Sequence, residues 1–144
     1  MELPELSVAR QGRSVRIGAY KVARDLPASF RYAAQGLAFA FGSQRNFRLH
    51  VFLGSAALGA GVIFGLSTIK LGVLVLTVAA VLVLELLNTA IEAVVDLAIG
   101  RRFHHLARIA KDCAAAAVLV AAISSLLIAL LLLVPALVER LAGG

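Results

Sequence analysis

The segment Glu85-Leu-Leu-Asn-Thr-Ala-Ile-Glu-Ala-Val-Val-Asp96 sets three acids and an amide inside an apolar run from Leu71 to Ile99. At about 100° per helical residue, Asn88 falls near −60°, Glu92 near −20° and Asp96 near +20° relative to Glu85. All four share one stripe. The surrounding run is long enough to cross a bilayer, where an ionised carboxylate at the centre of a lipid-facing helix costs about 2.5–3.5 kcal/mol. Several such groups facing acyl chains would be prohibitive. The stripe is therefore expected to face a protein interior, a bound cation or a hydrated cavity.

Charge-free stretches on either side supply two further spans. The 21 residues between Arg48 and Lys70 predict a first span over 49–69, and the 26 between Asp112 and Glu139 predict a third over 112–137, ending near Pro135. The middle span is expected over 71–99. The hydrophobic content of 61% and the mean hydropathy of +0.96 exceed what a water-soluble domain of 144 residues needs for its core. The predicted class is an all-α membrane protein with three transmembrane helices.

Orientation comes from the basic residues. Of the 14, eight precede Leu49 and four (Arg101, Arg102, Arg108, Lys111) lie between the second and third spans, leaving Lys70 and Arg140. Twelve against two places the N-terminus and the second loop in the cytoplasm and the C-terminus outside. The same placement accounts for the net charge of +6 without nucleic acid, because these residues flank apolar runs and are not interleaved with exposed aromatics.

Upstream, residues 28–42 read as an amphipathic interfacial helix, with Phe30, Ala34, Leu37 and Phe41 near one face, Arg31 and Gln35 turned away and Pro27 at its start. Residues 1–27 form a polar, basic extension without the apolar stretch of a cleavable signal peptide, and residues 138–144 a short tail. Together, 28–137 form one membrane domain. The single cysteine, Cys113, rules out an internal disulfide and reads as a small packing residue beside Ala114 to Ala117. Ala57, Gly61 and Gly65 recur every four residues, as do Ala117, Ala121 and Ser125, a pattern that favours close helix contacts and self-association.

Depth grades the stripe. With hydrocarbon beginning near Leu71 and a rise of about 1.5 Å per residue, Glu85 lies about 9 Å below the cytoplasmic boundary of a roughly 30 Å core. Glu92 lies at that boundary and Asp96 beyond it. His104, His105, Arg108, Lys111 and Asp112 follow in the cytoplasmic loop and bring positive charge. The two histidines have no partner set for zinc. No glycine-rich phosphate cradle of the G-x-x-x-x-G-K-[ST] or G-x-G-x-x-G type is present. The residues thus give a carboxylate-lined interfacial site, open to two readings: phosphoryl transfer, or a non-enzymatic oligomeric transporter or proton channel using the acidic stripe.

The twelve-residue block from Glu85 to Asp96, followed by Ala110-Lys111-Asp112 and preceded by Arg45-Asn-Phe-Arg-Leu-His50, resembles the prokaryotic diacylglycerol kinase and undecaprenol kinase family over about Ser29 to Pro135. The resemblance implies a homotrimeric, three-span lipid kinase that moves the γ-phosphate of MgATP to a lipid alcohol, with active sites shared between protomers. It implies Glu85 as general base, Asn88 as a positioning group and Glu92 as a ligand of the divalent cation. Asp96, Lys111, Asp112, Tyr32 and His104 would contact the nucleotide. One departure stands out: where many relatives carry a second metal-binding glutamate, this chain has Gln44, whose amide oxygen can ligate but brings no charge. A member that binds lipid or nucleotide without turnover is the corresponding alternative. The motifs Asn-Thr-Ala-Ile-Glu and Arg-Asn-Phe-Arg lean towards the undecaprenol-type branch, with diacylglycerol as the other acceptor.

Overall fold

The computed structural model describes residues 26–100 and 102–143. The basic extension expected over 1–27 therefore lies outside the described residues up to position 25, while Leu26 and Pro27 open a helix. Four helices follow: α1 (Leu26–Ser43), α2 (Arg45–Ile63), α3 (Thr68–Ile99) and α4 (His105–Ala142). The last three are each long and apolar enough to cross a membrane, so the all-α, three-span architecture is the one expected. Residues up to Phe39 form a unit separate from those beginning at Ala40. Within the first, Phe30 and Leu37 are exposed, and the Arg31 guanidinium lies 5.5 Å from the centre of the Tyr32 ring.

In the second unit α3 packs chiefly on α4 and also on α2. Lipid tails are as apolar as leucine, so helices in a bilayer gain most from close approach of small residues. Gly54 and Gly61 provide it. A Cβ at Gly54 would stand 2.5 Å from Val78 Cγ1, and one at Gly61 2.9 Å from Leu71 Cδ2. These two contacts fix one antiparallel register: seven residues forward on α2 are matched by seven residues back on α3. Near the α2–α3 turn, Leu66, Leu74 and Ala136 form a buried cluster.

The helix ends depart from the expected spans. α2 stops at Ile63 and not at residue 69, because Gly65 takes φ +75° and closes a Schellman cap. Leu66 N donates to Gly61 O at 2.9 Å and Gly65 N to Val62 O at 3.1 Å, satisfying carbonyls the helix would otherwise leave bare. Gly65 is thus a cap and not the third member of a packing stripe. Thr68 and Ile69 already belong to α3, with Ser67 as its N-cap. α4 begins at His105, two turns before the expected 112, and runs through Pro135 to Ala142. Near its end the Arg140 guanidinium donates to Ile63 O, tying α4 to the end of α2. On α4 the buried positions are Ala114 and Val118 near its start and Ala136 near its end, while Ala117 is exposed. Cys113 is also exposed, so it does not pack within the chain itself.

Candidate functional site

The packing face of α3 runs Leu74, Val78, Val81 and then Glu85, Asn88 and Glu92, in steps of three and four. Leu74, Val81 and Glu85 are all buried, at 1%, 4% and 4% exposure. The acidic stripe is therefore the continuation of the helix's inner face, and Val83, Leu87 and Val94 occupy the opposite, exposed one. Asn88 and Glu92 are half-buried and Asp96 is exposed, so burial decreases from Glu85 to Asp96.

Contacts link these groups. Asn88 Nδ2 donates to Glu92 Oε1 at 3.2 Å. Asn88 Oδ1 is buried and has no hydrogen-bond partner among the described residues. Such an acceptor costs about 1–3 kcal/mol if it stays unsatisfied, and its oxygen is able to take a further partner. The Thr89 hydroxyl donates back to Glu85 O at 2.9 Å. At the exposed end, Lys111 Nζ lies 2.6 Å from Asp96 Oδ1, joining the first turns of α4 to the stripe.

Beyond that pair lies a cavity of about 270 Å³ between the end of α3 and the start of α4. His104, Lys111 and Asp112 line it, together with Arg102, Phe103 and Arg108. Three of the expected nucleotide residues are therefore brought together, with Asp96 at their edge through Lys111. Arg108 Nε sits 3.4 Å from Asp112 Oδ2, but both side chains are mostly exposed, and such i,i+4 pairs hold about 0.3–0.5 kcal/mol. Arg108 and Asp112 are thus only weakly committed to each other. His104 occupies the N-cap position of α4 and its side chain makes no capping bond.

Two expected residues belong to other elements. Gln44 links α1 and α2 as the N-cap of α2, with its side chain making no capping bond, and no hydrogen bond among the described residues joins it to Glu92. Tyr32 belongs to the separate N-terminal unit and is 48% exposed.

One residue at the site escaped the sequence reading. His50 Nε2 approaches Glu85 Oε1 to 3.5 Å, and its side chain is 20% exposed. The register carried on from Gly61–Leu71 and Gly54–Val78 sets Phe47 opposite Glu85, and His50, three residues along the same helix, reaches the carboxylate through its side chain. His50 also borders an apolar cavity of about 420 Å³ between the three helices, walled by Gly54, Ala57, Val78, Ala122 and Leu126 among others.

As a donor set for a divalent cation, Glu92 and the free oxygen of Asn88 are hard oxygen ligands. No cluster of three or more His, Cys, Asp or Glu residues able to hold a metal occurs among the described residues. Mg²⁺ does not need one, since it keeps several waters and is commonly held by one or two carboxylates plus substrate phosphates. The residues present fit that mode.

A buried carboxylate, a row of oxygen donors and a basic cavity are groups that phosphoryl transfer can use. Comparison with known proteins agrees. The profile of prokaryotic diacylglycerol kinase matches residues 31–133. A diacylglycerol kinase from Synechocystis sp. is 50% identical over 127 residues, covering 88% of this chain and 73% of the relative. An undecaprenol kinase from Bacillus subtilis is 42% identical over 109 residues, covering 76% and 88%. A diacylglycerol kinase from Haemophilus influenzae is 38% identical over 93 residues, covering 65% and 78%. The chain belongs to the prokaryotic diacylglycerol kinase family. It is a membrane lipid kinase that uses ATP as phosphoryl donor, and nothing found favours a transporter or proton channel.

Proposed function

We propose that the chain phosphorylates a lipid alcohol, undecaprenol or diacylglycerol, at the cytoplasmic face of the membrane, with Glu85 as general base. The observation that carries this reading is the course of the inner face of α3, from the buried Glu85 through Asn88 and Glu92 to the Asp96–Lys111 pair. A greasy acceptor reaches one end of that line and a triphosphate the other.

Glu85 takes the proton of the lipid hydroxyl as its oxygen forms a bond to the γ-phosphorus. The bond between that phosphorus and the β–γ bridging oxygen breaks, ADP leaves, and Glu85 returns its proton to water. Little else is demanded of the protein than alignment and charge stabilisation. Asn88 holds Glu92 through its amide nitrogen and turns its free oxygen towards the reacting groups. Glu92, with Gln44, holds Mg²⁺, which when bound neutralises phosphate charge. Asp96, His104, Lys111, Asp112 and Tyr32 bind the nucleotide. The start of α4 suits an anion, since a helix N-terminus presents unpaired backbone N–H groups.

The proposed assembly is a homotrimer with sites shared between protomers. The exposed apolar sides of α2, α3 and α4 leave ample surface for such contacts. The termini follow the basic residues, N-terminus in the cytoplasm and C-terminus outside.

The test is phosphate transfer from MgATP in mixed micelles, with undecaprenol and diacylglycerol offered separately. Glu85→Gln is expected to lower kcat by about 10²–10⁴-fold on whichever acceptor is used. Turnover close to wild type in that variant would remove Glu85 from the role of base.

A further inference from the structure

We propose that His50 is a positioning residue for the reaction, holding the Glu85 carboxylate in place and setting it at the head of the apolar cavity. The inference rests on the reading of Glu85 as base. Three observations meet at this side chain. His50 Nε2 lies 3.5 Å from Glu85 Oε1, the single ion-pair contact of Glu85 among the described residues. Its ring borders the cavity of about 420 Å³ whose other walls are almost wholly apolar. The close packing at Gly54 and Gly61 holds α2 against α3, and so keeps the His50 side chain within reach of Glu85.

The chemistry follows from the geometry. A carboxylate at 4% exposure has lost nearly all its water, and an unanchored one can swing about its side-chain torsions. At 3.5 Å the imidazole contact is longer than a formed hydrogen bond, as catalytic contacts often are before substrate binds. On closing, the Nε2–H donates to one carboxylate oxygen and leaves the other for the lipid hydroxyl. That hydroxyl arrives where His50 joins the cavity to Glu85, so the same ring orients the base and marks the end of the acceptor's path. His50 neither takes nor gives the transferred proton.

Steady-state kinetics and imidazole ¹⁵N spectra of the full-length protein test this together. His50→Leu keeps the bulk and removes the donor; it is expected to lower kcat by about 10²-fold with little change in KM for ATP. His50→Gln returns an N–H near the Nε2 position and is expected to recover most of that loss. Equal losses in both variants, or a change in KM for ATP alone, would overturn the proposal. The ¹⁵N signals of His50, assigned by their absence in His50→Gln, are expected to shift in Glu85→Gln; unshifted signals would also overturn it. This spectroscopic arm is independent of turnover. Should Glu85→Gln remain active while the shift is present, the base assignment fails and the contact itself stands.

Discussion

The two ends of the inner face of α3 follow one helical period and do opposite work. Towards the α2–α3 turn, Leu71, Leu74 and Val78 meet Gly54, Gly61, Leu66 and the end of α4 in contacts so close that a single added carbon would collide. Towards the α3–α4 connection, the same face carries Glu85, Asn88 and Glu92, and the contacts lengthen, lose partners and open to solvent. The tight end fixes the register that the loose end depends on. In a bilayer this division has a clear cause: apolar burial gives helices no advantage over lipid, so stability must come from packing, and polar groups persist where they are used.

Substitutions at either end should therefore fail differently. The largest effect is expected at the polar end. Glu92→Ala should lower kcat/KM by about 10²–10³-fold and flatten the dependence of rate on Mg²⁺, while unfolding in denaturing detergent stays near wild type. Robust residual turnover would count against Glu92 as a ligand. Gly54→Leu should do the reverse, forcing α2 off Val78 at a cost of about 1–3 kcal/mol in unfolding free energy. Unchanged stability there would mean that the close approach is not what holds the helices. The smallest effect is expected from Gln44→Glu, which restores a charge at the metal and should lower the Mg²⁺ concentration for half-maximal rate. An unchanged titration would show that this side chain does not reach the cation.

Much of this contrast could be read from the sequence because it depends on periodicity and charge. Glu85, Asn88 and Glu92 share a face by arithmetic, and stretches such as Cys113 to Val138 contain no charge to stop a span. What escaped depends on backbone conformation or on neighbours from another helix. The end of α2 is set by the positive φ of Gly65, which in a run of small residues looks like one more packing position. The start of α4 is hard to read because His105, Arg108 and Lys111 are polar in the manner of a loop, yet they lie on its first turns. His50 has no acid near it in sequence, and only the pairing of α2 with α3 reveals its partner.

The inward placement of the stripe is tested most directly by a spin-label scan of α3 from position 83 to 94 in bilayers, on a Cys113→Ala background. Accessibility to membrane-dissolved oxygen should be lowest at 85, 88 and 92 and should rise at 83, 87 and 94. A profile with its maxima at 85, 88 and 92 would place those acids against the acyl chains and contradict the account.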